Sequence, residues 1–282
     1  MLVGSYIVAI TVRRLYVDGP FGQVHIREAR PAAGDTTRTP LICFHQSPVS
    51  GAQYRPFQDE MATDRIVWCP DTPGFGGSDA PQDVVTIGDY ANAMATVVEA
   101  LGYGGEGRGA IDVFGGHTGS VIGTELAVTR PELVRKIIFP SVALFSDEQK
   151  AMMMQRFGGP PEYFTDPDFV ANSYKQTVLD GPQEIDPERR LELFTERLRS
   201  GMKAWYAPEA VMSYDAEEQL KKLAQKALVL VLDDMLAENT RLAGSLIPDA
   251  KTVELLHISH ALAWDRHAPE IAKVIRAFCD ET

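Results

Sequence analysis

The sequence predicts an α/β fold: a mostly parallel central sheet covered by helices on both faces, interrupted by a block of helices late in the chain. Three observations carry this. Short continuous apolar runs recur, as strands buried on both faces require. Segments of helical spacing separate them, which is the alternation of a parallel sheet. From Ser146 to about Leu223 that alternation stops and no convincing strand occurs.

Residues 6–17 (YIVAITVRRLYV) read as a strand, Asp18-Gly19-Pro20 as a turn, and Gln23–Glu28 as the returning strand of a hairpin. A polar loop over 30–39 follows. Leu41–His45 (LICFH) and Ile66–Cys69 (IVWC) are buried strands. Ile87–Leu101 has helical spacing and stops at Gly102, a residue suited to the left-handed position beyond a helix. Ile111–Phe114 is the next strand, Val121–Thr129 a helix, and Lys136–Phe139 a strand. Helix starts stand at Ser146-Asp147-Glu148 and Asp186-Pro187-Glu188. Ala227–Leu232 and Thr252–Leu256 complete the strands, and Pro269–Phe278 is a closing helix. The expected organisation is a core over 1–145, a helical insertion over 146–223, and a second core segment over 224–282.

Composition narrows the class. Apolar residues make up 45% and charged residues 23%, enough to bury a real core and unlike a disordered chain. Lys and Arg number 27 against 39 Asp and Glu, a net charge of −12 that opposes binding to nucleic acid or an anionic membrane. Cys43, Cys69 and Cys279 are odd in number and widely spaced, pointing to a reducing compartment and to core packing. MLVGSYIVAI lacks a preceding positive charge and a cleavage site, and no apolar run reaches the roughly 20 residues of a spanning helix. A soluble, cytoplasmic protein acting on a small molecule is expected, with homodimer formation open.

Gly102, Gly104 and Gly107 match the spacing G-x-G-x-x-G, but they follow a helix and precede a strand, the reverse of a dinucleotide site. The informative segment is Ile111–Ala127 (IDVFGGHTGSVIGTELA): a strand, a glycine-dense turn, then a helix. This is the pattern of a nucleophile elbow, in which a sharp turn lifts one side chain over the sheet edge. In Gly115-Gly116-His117-Thr118-Gly119 the raised residue is His117. A register centred on Thr118, with Ser120 in the last glycine's place, loses a glycine and lengthens the strand side.

With this elbow the chain resembles the α/β-hydrolase superfamily. CFHQSP (43–48) falls where the family often has a His-Gly motif. PDTPGFGGSD (70–79) is close to the family's D-x-P-G-x-G-x-S-D, and ISHALAWDRHAPE (258–270) is similar to its catalytic-histidine loop. The resemblance implies that the helices over 146–223 form a cap, that His260 is the general base, and that an acid follows the ALVLVL strand. Asp234 is preferred there over Asp233 and Glu238, with Asp147 as a second location; His257 and His267 are the rival histidines. It also implies an oxyanion hole from the amides of Gln46 and Thr118, with His45 and Ser47 beside it. Asp71 and Asp79 read as loop-fixing residues.

The departure from the family is His117, because its usual nucleophile is Ser, Asp or Cys. A helix N-terminus and burial both favour neutral imidazole, which is a competent nucleophile and general base. The expected activity is hydrolysis of an ester, lactone or C–C bond in a small, largely apolar carbonyl compound, without a cofactor. The alternatives are a lyase, isomerase or cofactor-independent oxygenase using the same histidines, or a non-catalytic ligand-binding protein. His257-x-x-His260 with His267 has loose metal-ligand spacing but no H-E-x-x-H or cysteine pair, so no metal is expected there. Met152, Met153, Met154, Trp205 and Tyr206 are candidate lining for an apolar pocket.

Overall fold

A computed structural model describes residues 9–34, 37–104 and 107–281. Strands β1 (Ile10–Gly19) and β2 (Gly22–Pro31) pair antiparallel through the turn read at 18–20; residues 6–8 of the expected first strand lie outside the described residues. Then come β3 (Leu41–Phe44), helix α1 (Arg55–Met61), β4 (Val67–Pro70) and α2 (Ile87–Ala100). Next are β5 (Ile111–Gly115), α3 (Thr118–Thr129) and β6 (Val134–Pro140). Between β6 and β7 (Lys226–Asp233) the described elements are all helical: α4 (Asp147–Phe157), α5 (Pro167–Tyr174), α6 (Pro187–Arg199), α7 (Tyr206–Met212) and α8 (Ala216–Leu220), with short 3-10 and π turns. Helix α9 (Ala237–Leu246), β8 (Ala250–Ser259), α10 (His260–Ala263) and α11 (Ala268–Asp280) follow.

The eight strands form one sheet in the order β1-β2-β4-β3-β5-β6-β7-β8. β2 runs antiparallel to β1 and β4, and the other pairs are parallel. Strand alternation sorts the core into two layers. Ile42 and Phe44 of β3 pack with Tyr90, Met94, Val121 and Leu126 of α2 and α3. Leu41 and Cys43 face Phe57, Met61, Ile275 and Phe278 of α1 and α11. All three cysteines are free and buried, as packing residues are. Gly102, Gly104 and Gly107 form the turn from α2 to β5, closed by Gly107 N–H to Gly104 O at 2.8 Å.

Local chemistry explains the helix starts. Thr86 and Asp89 form a capping box on α2, and Ser146 and Gln149 form one on α4. Asp186 caps α6, with Pro187 in its first turn. α3 begins three residues earlier than its apolar spacing suggests, because the turn hands directly into it.

The α3 entrance is closely packed by backbone. A Cβ on Gly119 would fall on the Phe44 carbonyl oxygen, and one on Gly115 would fall on the Gly119 carbonyl. Gly119→Ala should therefore cost about 3 kcal/mol or more in urea unfolding. Gly88→Ala, on α2 with no neighbour closer than 3.5 Å, should be neutral or gain up to about 1 kcal/mol. Equal effects of the two would show that the entrance is not sterically constrained.

Candidate active site

His117 stands between β5 and α3 with φ 50° and ψ −119°. Such a conformation costs a non-glycine residue about 1–3 kcal/mol and persists only where the surroundings enforce it. Here His117 N–H donates to Ser141 O at 2.8 Å, and His117 O accepts from Ser120 N at 2.9 Å and Ser120 Oγ at 2.6 Å. Ser120 Oγ in turn accepts from Ala143 N at 3.1 Å. The raised residue of the turn is thus His117, while Thr118 opens α3 and the Ser120 hydroxyl is turned into the fold.

Asp234 and His260 converge on it. Asp234 Oδ2 lies 3.6 Å from His117 Nε2, and the His117 and His260 ring centroids are 4.7 Å apart at 58°. The Asp234 side chain is 7% exposed and that of His117 24%. Asp234 Oδ1 accepts from Leu236 N at 2.8 Å, and Oδ2 accepts from the Ser141 hydroxyl. Burial pushes the Asp234 carboxyl up, but His117, Ser141 and the nearby His260 outweigh it and hold the group below the usual carboxylate range. Burial drives His260 down to about 3, helped by His117 and opposed by Asp234, so its imidazole is neutral at neutral pH. The acid therefore faces the elbow histidine, and among the described residues no hydrogen bond joins Asp234 to His260.

Gln46, Ser47, His117 and Thr118 line a cavity of about 630 Å³, whose other walls include Met153 and Trp205. Met152 instead is exposed. A second cavity of about 250 Å³ is lined by His260, Trp264 and, again, Gln46. Ser47 N–H donates to Thr118 Oγ1 at 3.3 Å. Gln46 Oε1, Ser47 Oγ and His117 Nε2 are buried without a hydrogen-bond partner among the described residues.

His45 is not part of that lining. Its Nδ1–H donates to Gln46 O at 2.8 Å and its Nε2 accepts from Thr72 N at 2.8 Å. Both ring nitrogens are thus committed to loop backbone, and burial lowers the pKa of the ring. The loop-fixing carboxylates are as read. Asp71 accepts from Gly51 N, Gly77 N and His25 Nδ1 at 2.9, 2.7 and 2.8 Å, and Asp79 from Gln23 N at 2.7 Å.

The rival acids and bases lie elsewhere. Asp233 and Asp147 are exposed, and exposed Glu238 pairs with Arg241. His257 bonds Glu270 at 2.8 Å, and His267 lies 3.6 Å from the same residue. The metal-capable group among the described residues is a different one: His117, Asp234 and His260, whose ligand atoms lie within 4.8 Å of one another. Two residues escaped the sequence reading. Ser141, at φ 67°, orients both Asp234 and the elbow. Thr240 fixes the same turn by accepting from Val142 N at 2.9 Å. The available signal for Ser141 was its place just past a parallel strand's carboxyl end, where sites of open α/β sheets gather.

Known proteins share this arrangement of the chain. The esterase of Thermogutta terrifontis, solved with malate bound, is 19% identical with a TM-score of 0.72, over 94% of this chain and 97% of its own. The enol-lactonase of Burkholderia xenovorans LB400 is 17% identical with a TM-score of 0.77, over 95% and 100%. An esterase from Exiguobacterium antarcticum is 11% identical with a TM-score of 0.76, again over 95% and 100%. No curated protein sequence matches the chain. A family profile for the alpha/beta hydrolase fold matches residues 39–265. With that match running through most of its length, the chain belongs to the α/β-hydrolase-fold family.

Proposed function

We propose that the chain hydrolyses an ester, lactone or C–C bond of a small, largely apolar carbonyl compound, with His117 in the nucleophile's place and residues 146–223 as a cap over the cavity. The observation that carries the reading is the convergence of a strained elbow histidine, itself on the wall of that cavity, with Asp234 and His260. Esterases and a lactonase among the solved structures of this fold agree with it.

The chemistry follows from charge and geometry. Asp234 is ionised and faces His117 Nε2, which favours the tautomer with its proton on Nε2 and leaves the Nδ1 lone pair for the substrate. That lone pair attacks the carbonyl carbon; the scissile C–O or C–C bond breaks, the leaving group takes up the proton shed from His117 Nε2, and water cleaves the resulting acyl-imidazole to the acid and free His117, or else the lone pair takes a proton from an attacking water. The amide of Thr118, in the first turn of α3, has no intrahelical acceptor and with that of Gln46 receives the developing oxyanion. His260 is neutral beside them and relays protons to the leaving group.

A second reading has its own observation. The 3.6 Å between His117 Nε2 and Asp234 Oδ2 exceeds a hydrogen bond and is close to the edge of a metal tetrahedron, roughly 3.3–3.5 Å for bonds of about 2.0–2.1 Å. In that case a divalent ion on His117, Asp234 and His260 would supply the nucleophilic water.

On 4-nitrophenyl butyrate and small lactones in oxygen-18 water, the label should enter the acid product. His117→Ala should lower kcat/KM about 1,000-fold or more, and a fluorophosphonate probe should leave Ser120 and Thr118 unlabelled. Oxygen-18-free product, or full activity in His117→Ala, refutes the hydrolytic role of the elbow. Loss of activity with a chelator, restored by Zn²⁺, assigns the nucleophile to metal-bound water.

Buried neutral His45 and His260 also set a pH dependence of stability. Unfolded histidine titrates near 6.5, while both folded groups titrate lower, so the unfolded chain binds more protons in between. Stability present above about pH 6.5 should therefore decline as pH falls towards 3. Urea unfolding at pH 7.5 and 4.5 reads this, and His260→Asn should flatten the decline; an unchanged slope in the variant removes His260 as its source.

A further inference from the structure

Helix α6 carries four arginines. Arg189 donates to Ala52 O, Gln53 O and Asp265 at 3.0, 2.8 and 2.8 Å. Arg190 donates to Gly181 O at 3.0 Å, and Arg199 to Glu196 at 3.0 Å. Arg197 has no acceptor for its guanidinium among the described residues. Its exposed surface borders the larger cavity, which it shares with His117, and it also borders the smaller one beside His260.

The charges around Arg197 sharpen this. Arg156 lines the same cavity, stacks 5.1 Å over Phe157, and likewise has no carboxylate within ion-pair distance among the described residues. Tyr163 and Glu162 also line that cavity. In a chain with 39 acidic against 27 basic residues, acids to pair with are in excess. Two arginines left unpaired on the wall of a reaction cavity thus form a local reversal of the protein's charge. Arginine's planar fork fits a carboxylate two-pronged, and the partial desolvation of the cavity strengthens such a pair. Arg197 faces a cavity rather than the core, so its replacement leaves the packing in place.

We propose that Arg197 is a carboxylate subsite, so that the preferred substrate is a short ester or lactone bearing a free carboxylate at the end remote from the carbonyl over His117. The kinetic side of this rests on the proposed hydrolysis; the binding side does not.

The experiment compares monoethyl and diethyl esters of the dicarboxylic acids from malonate to adipate, and titrates the free dicarboxylates by calorimetry, in wild type, Arg197→Gln and Arg197→Lys. For at least one chain length the wild type should favour the monoester by kcat/KM. That ratio should fall at least tenfold in Arg197→Gln through KM, with Arg197→Lys between the two. The matching dicarboxylate should bind wild type and lose tenfold or more in affinity in Arg197→Gln. A ratio unchanged by Arg197→Gln, or dicarboxylate affinity equal in wild type and variant or absent from both, overturns the subsite. If neither ester is cleaved, the hydrolytic reading fails and the calorimetry alone decides the subsite. Circular dichroism and Tm of the variants confirm the common fold.

Discussion

A histidine at positive φ is held only where every alternative is blocked, and the β5–α3 turn blocks them with backbone rather than side chains. The Phe44 carbonyl leaves no room for a Cβ at Gly119, the Gly119 carbonyl leaves none at Gly115, and the amide of His117 is tied to Ser141 O. The strand that supplies Phe44 also leads into Gln46 and Ser47 of the cavity lining. One close approach of β3 to α3 thus sets the height of the imidazole and the place of the groups beside it. Removing the strain would require moving two parallel strands apart, which the buried layers on both faces of the sheet oppose.

The second anchor is Ser141. It follows β6 as His117 follows β5, and the isolated parallel bridge between His117 and Val142 extends the sheet by one step exactly where the ladder ends in coil. Its carbonyl holds the elbow amide while its hydroxyl holds Asp234. Carboxylate and imidazole are therefore referenced to the same residue, and their separation does not depend on how β7 and β5 individually flex. Preorganisation of this kind is what a reacting group needs from its supporting shell.

Much of this was legible in the residues. Buried strands announced themselves as apolar runs because both faces are covered, and the elbow showed as glycines on either side of one large residue. Asp234 and His260 followed from family position. What escaped depended on distance in space. Ser141 and Thr240 carry no motif, since a hydroxyl that orients a neighbour looks like any loop hydroxyl. The grouping of residues 117, 234 and 260 has no local spacing to betray it, because three different strand ends deliver its members. Arg197 hid among three other arginines of an amphipathic helix, and only the partners of its neighbours set it apart. His45 misled for a related reason: a histidine in the loop after β3 suggests chemistry, whereas its two nitrogens are both taken by loop backbone.

Helix α6 is fastened directly to the segment that follows β3. Glu196 accepts from Ser50 Oγ at 2.6 Å, and Arg189 grips the carbonyls of Ala52 and Gln53. The helix whose Arg197 and Leu198 border the cavity is thus tied by hydrogen bonds to the loop that carries Gln46. A displacement of α6 is therefore transmitted to the turn that follows Gln46, and a displacement of that turn to α6.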